Sequence, residues 1–308
     1  MNAAIRPFQP KRPSAPASNH DGDILQSGNQ SSGRAIGDII REIKGLTEEQ
    51  IAQIVEHQRG SGLRFGDAAV ALGLASDQDV VFALSQQFHY PYTPESRRKV
   101  NSELVTAVQP FSRQAEAFRA IRSQLMMRVF SANEPKRALA IVSADQGDGK
   151  TYFTANLGIA LAQLGGRVLV VDADLRNPRL HTLFDVPNNT GLSGILSSRQ
   201  EENVIFQVTD MPSMYVMPVG VTPPNPLELI ERPAFRLLMA ELLRKFDHVL
   251  VDTPAATLGS DATVIAAKCG AALAIARKDR SRVSTLTDLV TAVTATTQKF
   301  AGVIVNQY

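Results

Sequence analysis

The octapeptide Ala144-Asp145-Gln146-Gly147-Asp148-Gly149-Lys150-Thr151 combines two glycines, a lysine and a hydroxyl in an order that suits a polyphosphate. Gly147 and Gly149 let backbone N–H groups turn inward around an anion with no Cβ in the way. Lys150 brings a cation to the β- and γ-phosphates, and the Thr151 hydroxyl can ligate Mg²⁺; only Ala144, in place of the first glycine, departs from the phosphate-loop pattern. Gly147, Asp148, Gly149, Lys150, Thr151 and Tyr152 are therefore the expected nucleotide-binding residues. Two further segments end in carboxylates: Val170-Val171-Asp172-Ala173-Asp174 and Val249-Leu250-Val251-Asp252. An aspartate after an apolar strand can hold Mg²⁺ directly or through water; it can also cap the next helix or turn. Following a phosphate loop, and each at a strand's carboxyl end, the three are expected to converge. Two carboxylates at one strand end exceed what Mg²⁺ needs, so Asp172 or Asp174 can accept a hydroxyl proton. The expected catalytic set is Lys150, Asp172, Asp174 and Asp252, with Thr151, Asp172 and Asp252 as metal ligands.

These residues need a scaffold that brings strand ends together. Continuous apolar runs rich in β-branched residues occur at 138–142, 168–171, 249–251, 271–276 and 303–305, separated by helical stretches such as 154–164, 235–245 and 283–297. Strands apolar on both faces and joined by helices predict a parallel sheet covered on both sides, an α/β fold. Arg277 and Asn306 follow the last two strands, where the first can approach phosphate or lie on the surface, and the second can bond a base or close a turn.

The amino-terminal third has a different texture. Residues 1–33, punctuated by Pro7, Pro10, Pro13 and Pro16, carry no periodic apolar pattern and read as a disordered arm. From Ile36 to Gln87, within a unit expected over 34–93, the chain repeats itself: Gly37, Ile51, Val55 and Gln58 recur as Gly66, Val80, Leu84 and Gln87, each pair 29 residues apart. A fixed period marks a duplicated supersecondary unit. Thr47-Glu48-Glu49-Gln50 and Ser76-Asp77-Gln78-Asp79 look like capped helix starts, and the apolar positions Ile51, Ile54 and Val55, then Val80, Leu84 and Phe88, predict single helical faces. A small, mostly helical domain is expected there, then a linker over 94–115.

Composition removes several classes of function. With 308 residues, 44% of them hydrophobic and 20% charged, the chain is globular. A net charge of +2 is too small for a phosphate-backbone footprint, so no nucleic-acid polymer is expected as partner. Cys269 is the only cysteine, excluding an internal disulfide or a thiolate zinc cluster. No run reaches the roughly 18 apolar residues of a membrane span, and no apolar leader opens the chain. A cytoplasmic protein is expected.

In sequence order, four motifs resemble those of the bacterial tyrosine kinases of exopolysaccharide operons. Asp172-Ala-Asp174-Leu-Arg176-Asn-Pro178 is similar to their second Walker motif, and Phe246–Pro254 to their third. Glu116-Ala-Phe-Arg119-Ala-Ile-Arg122 resembles their self-association motif, and 218–229 their proline-rich loop. The resemblance runs from about 116 to 308 and implies a P-loop NTPase domain of the deviant Walker A class. It further implies ATP and Mg²⁺ as cofactors, tyrosine autophosphorylation, a homo-oligomer joined through Glu116, Arg119 and Arg122, and activation by the cytoplasmic tail of a transmembrane chain-length regulator. That partner would hold the chain peripherally at the inner membrane. From the spacing alone, Phe118, Ile121, Leu125 and Val129 form an apolar stripe for the parent domain, leaving the charged triplet on another face, free to pair with a neighbour. Residues 35–93, with Arg64-Phe65-Gly66 and Tyr90-Pro91-Tyr92, are similar to the amino-terminal region of EpsG-type kinases and to that of type II secretion ATPases. The second of these implies cyclic-di-GMP as a ligand, although Ala35 stands where the first copy's arginine belongs.

Two other readings compete. One is a nucleotide-switched positioning ATPase of the partition type; that group carries a second lysine five residues before the loop lysine, where this chain has Asp145. The other is a regulatory scaffold with a weak nucleotide site. The family's tail of tyrosine acceptors is here reduced to Gln307 and Tyr308, a span of at most about 7 Å, so Tyr308 is expected to cap the sheet apolarly, and phosphate to enter Tyr90, Tyr92 or another protein.

Overall fold

The apolar runs do become parallel strands. The computed structural model describes residues 35–87, 101–199, 201–209 and 211–307. Within them a seven-stranded sheet has the order β3-β4-β2-β5-β1-β6-β7. Its strands are β1 (Ala138–Ser143), β2 (Val168–Asp172), β3 (Phe206–Gln207), β4 (Met214–Met217), β5 (His248–Asp252), β6 (Gly270–Arg277) and β7 (Lys299–Asn306). All neighbours pair in parallel except β3 with β4.

The residues of each central strand alternate between two cores, as the two-residue repeat of a strand demands. Leu139, Ile141, Val168, Val170, Leu273 and Ile275 face one layer. That layer contains α5 (Val105–Val108), α6 (Arg113–Arg128), α7 (Lys150–Ala162) and α8 (Leu180–Phe184). Ala138, Ala140, Val142, Leu169, Val171, Ala272 and Ala274 face the other, formed by α9 (Leu192–Leu196), α10 (Pro226–Glu231), α11 (Pro233–Lys245), α12 (Asp261–Cys269) and α13 (Val283–Thr296). The alanines on that second face leave room for α12, which contributes Ala262, Ile265 and Ala266. Burial on both faces explains why the strands read as unbroken apolar runs rather than alternating ones.

The repeat near the amino terminus appears as four helices, α1 (Ile36–Lys44), α2 (Glu48–Ser61), α3 (Phe65–Ala71) and α4 (Asp77–Gln87), around a core of Ile39, Ile40, Leu46, Ile54, Ala68, Ala69, Ala75 and Ala83. Its period recurs in the caps. The Gln50 N–H donates to Thr47 Oγ1 at 3.3 Å while Thr47 N–H donates back to Gln50 Oε1. One repeat later the Asp79 N–H donates to Ser76 Oγ at 3.2 Å, and Ser76 N–H to Asp79 Oδ2. Each reciprocal pair satisfies two donors that a helix start leaves open. The arm over 1–33, Phe88, Tyr90, Tyr92, the Arg97–Lys99 cluster and Tyr308 lie outside the described residues.

Two expectations change in physical detail. Residues 101–112, inside the span expected as a linker, are docked on α7. The buried Asn156 accepts from Thr106 N–H at 2.9 Å and donates to the Glu103 carbonyl at 2.9 Å, while Leu104, Val105 and Ala107 join the core. Polar residues and Pro110 hid an anchor that depends on one distant asparagine. On α6 the apolar stripe packs as expected, with Phe118, Leu125 and Val129 buried, but the charged triplet is not free. Arg122 Nη1 donates to the Ala160 carbonyl at 2.7 Å. Arg119 pairs with Glu116 and also donates to the Pro110 carbonyl, which leaves its side chain 19% exposed against 70% for Glu116. Long arginine side chains on a helix flank reach the carbonyls of the layer beneath, which residue spacing does not reveal.

Candidate active site

β1 delivers the chain into the glycine loop, and α7 begins at Lys150 directly after it. Gly147 and Gly149 adopt φ of 85° and 96°, the left-handed region that side chains disfavour. A Cβ on Gly149 would also collide with the Asn306 amide. The positive end of α7 thus faces the same space as the loop's backbone N–H groups. Lys150 is 6% exposed, and its Nζ donates to Ser143 Oγ at 2.9 Å, which holds the ammonium over the end of β1.

Strand register does the rest. Asp172 and Asp252 are direct partners across β2 and β5, and Asp252 pairs with Ile141 of β1. Both carboxylates are therefore at adjacent strand ends beside the glycine loop, about 5 Å apart in backbone spacing. Their environments differ. Asp172 is fully engaged: Oδ1 accepts from Asp174 N–H at 3.2 Å, and Oδ2 from Arg179 and Leu180 N–H, each at 3.0 Å. Asp252 accepts a long bond from Thr154 Oγ1 at 3.4 Å, while its Oδ2 is buried with no hydrogen-bond partner among the described residues. Burial, with the charge of Asp252 beside it, pushes Asp172 well above the usual carboxylate range despite its backbone bonds. Burial also pushes Asp252 up to about 7, against the pull of Lys150 and Thr151. Two buried carboxylates side by side, with Lys150 acting on Asp252, form a site short of positive charge, which a divalent cation would supply. The orphaned Oδ2 of Asp252 is the atom best placed to ligate it, with the Thr151 hydroxyl as the companion that the loop pattern provides.

Asp174, half-buried, takes the Arg176 and Asn177 N–H groups on Oδ1 at 3.2 and 2.9 Å. Among the described residues its other oxygen accepts no hydrogen bond. The structure thus brings together Gly147, Asp148, Gly149, Lys150, Thr151, Asp172, Asp174 and Asp252. Tyr152 is the exception: its ring lies 6.0 Å from that of Phe118, in the apolar layer under α6. One residue past Thr151, the helical turn swings the side chain away from the loop.

The loop is held by contacts between distant segments, whose partners no local signal specifies. The buried Asp148 accepts from Asp145 N–H at 3.1 Å and from Ser281 Oγ at 2.8 Å, so its carboxylate braces the loop and its backbone is what can meet an anion. Arg277 Nη1 donates to the Gly147 carbonyl at 3.2 Å, and Asn306 Nδ2 to the Asp148 carbonyl at 3.2 Å. The carboxyl ends of β6 and β7 therefore hold the loop from the far side.

Comparison with known proteins covers the same part of the chain. The CobQ/CobB/MinD/ParA nucleotide binding domain matches residues 139–308. The putative tyrosine-protein kinase CapB of Staphylococcus aureus is 35% identical over 170 residues, which are 55% of this chain and 74% of the relative. Among solved structures, the kinase domain of the Escherichia coli tyrosine kinase ETK superposes with a TM-score of 0.64 at 32% identity, covering 70% of this chain and 84% of that one. The chimerical protein CapA2B2 gives 0.62 at 32% identity, covering 68% and 91%.

Proposed function

The chain belongs to the bacterial tyrosine-protein kinases, and we propose that it transfers the γ-phosphoryl group of Mg–ATP to tyrosine at the loop of residues 144–151. The observation that carries this reading is the convergence of Asp172 and Asp252 at adjacent strand ends beside Lys150, with one buried oxygen of Asp252 left without a hydrogen-bond partner among the described residues. Phosphoryl transfer is mostly a matter of positioning and of stabilising spread charge. The backbone N–H groups of 147–151 and the Lys150 ammonium would cradle the phosphates. Thr151 and Asp252 would hold Mg²⁺, which neutralises charge building on the phosphate oxygens. Asp172, its oxygens taken up by backbone donors, would order the loop that follows it while adding negative charge next to the cation. Asp174, with an oxygen to spare, is the better placed of the two to accept the tyrosine proton. The partition-ATPase reading is weaker because Asp145 offers no second cation and instead bonds its N–H to Asp148.

Around this core we place the partners. Among the described residues no helix is long and apolar enough to cross a membrane. The cytoplasmic tail of a transmembrane chain-length regulator, in an exopolysaccharide system of the EpsG type, would recruit the chain to the inner membrane and activate it. Self-association through α6 would use the exposed Glu116, and Arg119 and Arg122 would have to exchange their own-chain carbonyls for a neighbour. The helical unit of residues 34–93, similar to the secretion-ATPase amino-terminal domain, is read as a docking module, with cyclic-di-GMP as the small ligand to be tried. The experiment is phosphotyrosine formation from radiolabelled ATP with and without the tail of a co-encoded membrane protein. Slow incorporation that the tail accelerates is expected; no phosphotyrosine under either condition would overturn the proposal.

A further inference from the structure

The loop between β2 and α8, which carries Asp174, is tied down by two of its own arginines in contrasting settings. Arg179 meets Glu103 at 2.5 Å on the surface, with both side chains well exposed. Arg176 reaches across to α12, where its Nη2 donates to both carboxylate oxygens of Asp261 at 3.0 and 3.3 Å. Asp261 is 1% exposed and is the first residue of its helix, so its charge sits at the positive helix end. Room for the pair depends on Gly259: a Cβ there would stand 2.7 Å from Asp261 Oδ2 and 3.3 Å from Arg176 Nη2. Arg176 is bound in turn to the acidic residue two positions before it, because its backbone N–H donates to Asp174 Oδ1. The same three loops are stitched elsewhere by Thr257 N–H to the Ala144 carbonyl and Ala173 N–H to the Asp252 carbonyl, at 3.0 and 2.9 Å. The Asp261 carboxylate is buried while Arg176 is 32% exposed, so losing the arginine strands a buried charge, whereas the exposed Arg179–Glu103 pair contributes little.

We propose that Asp261 is a positioning residue for phosphoryl transfer: it anchors Arg176, and through the Arg176 backbone it fixes the Asp174 carboxylate where a tyrosine hydroxyl gives up its proton. This rests on the assignment of the 144–151 loop and Asp174 to the reaction. Asp261 itself would touch neither nucleotide nor tyrosine, so its loss should slow turnover without weakening nucleotide binding. The test uses the full chain with its activating tail. In Asp261→Asn, kcat should fall at least tenfold, while KM for ATP and the Kd of a fluorescent ATP analogue stay within twofold. Arg176→Lys should give the same split, and the double variant should be no slower than the slower single one. Glu103→Gln, which cuts only the exposed pair, should keep kcat within twofold. A normal kcat in Asp261→Asn, additive losses in the double variant, or affinity falling in step with rate would each overturn the inference. Should Asp261→Asn fail to fold, Arg176→Lys carries the same rate and affinity comparison. Lys150→Met separates the two levels: if it remains active, the site assignment has failed; if it is dead while Asp261→Asn turns over normally, only the positioning role is refuted.

Discussion

Replacing Asp252 by asparagine should change how stability depends on pH, and the size of the change follows from burial. In the folded chain Asp252 is raised from 3.8 to about 7. The folded state therefore binds this proton more tightly than the unfolded state does. The sign is fixed by that: its contribution to stability is fully present below about pH 4 and is lost as pH rises through 7. The rise from 3.8 to about 7 corresponds to at most about 4 kcal/mol, of which about 3 kcal/mol falls between pH 5 and 8. Asp172, raised for the same cause, adds in the same direction. An asparagine side chain cannot titrate, so Asp252→Asn should lose less stability than the parent over this interval. Absolute stability is the wrong readout, because the substitution also deprives Lys150 of an opposite charge. The assay is urea denaturation of the nucleotide-free protein at pH 5, 6, 7 and 8, repeated with Mg–ADP. The parent's slope should be steeper than the variant's, and Mg–ADP should flatten it by holding the carboxylate ionised. Equal slopes in parent and variant, with no effect of Mg–ADP, would refute the picture of a buried carboxylate waiting for a cation.

Three further outcomes are expected. His248 is held below its usual 6.5 chiefly by burial, with the Lys136 charge adding to it, so it must stay neutral in the fold; stability should fall as pH drops below about 6.5, and His248→Leu should remove that part of the fall in a thermal-melt series. Asn156→Ala leaves the Thr106 N–H and Glu103 carbonyl without their buried partner, which should cost about 1–3 kcal/mol in chemical denaturation and open residues 101–112 to limited proteolysis. Tyr152 and Tyr215 are packed on Phe118 and Phe246, so phosphate mapped by mass spectrometry should fall mainly on Tyr90, Tyr92 or another protein, and Tyr308→Phe should leave most of it in place.

The readable parts of this molecule are those in which one short segment determines its own surroundings. The glycine loop, the apolar strands and the aspartates at their ends can be found because strand, turn and helix follow one another within a dozen residues. The 29-residue repeat is legible for the same reason, down to the paired caps at Thr47 and Ser76. What escapes are contacts between distant segments. Nothing near Asp148 announces Ser281, and nothing near Asn156 announces the Glu103–Thr106 stretch that it pins. The charge triplet on α6 shows the limit from the other side: spacing correctly separates it from the apolar stripe, yet Arg122 is spent on a carbonyl of α7. Adjacency alone assigns Tyr152 to the loop, and one further helical step turns its ring, half-buried, onto Phe118. Direction of a side chain, unlike its position, is set by what packs against it.

One Mg–ATP site, built on Lys150 and the strand-end carboxylates, is proposed to make phosphotyrosine. The most direct test is the initial rate of phosphotyrosine formation by Lys150→Met beside the parent, both activated by the partner tail and both checked for the same melting temperature. The expected loss is about a hundredfold or more, equivalent to about 3 kcal/mol of transition-state stabilisation. A folded Lys150→Met protein that forms phosphotyrosine at the parental rate would contradict it.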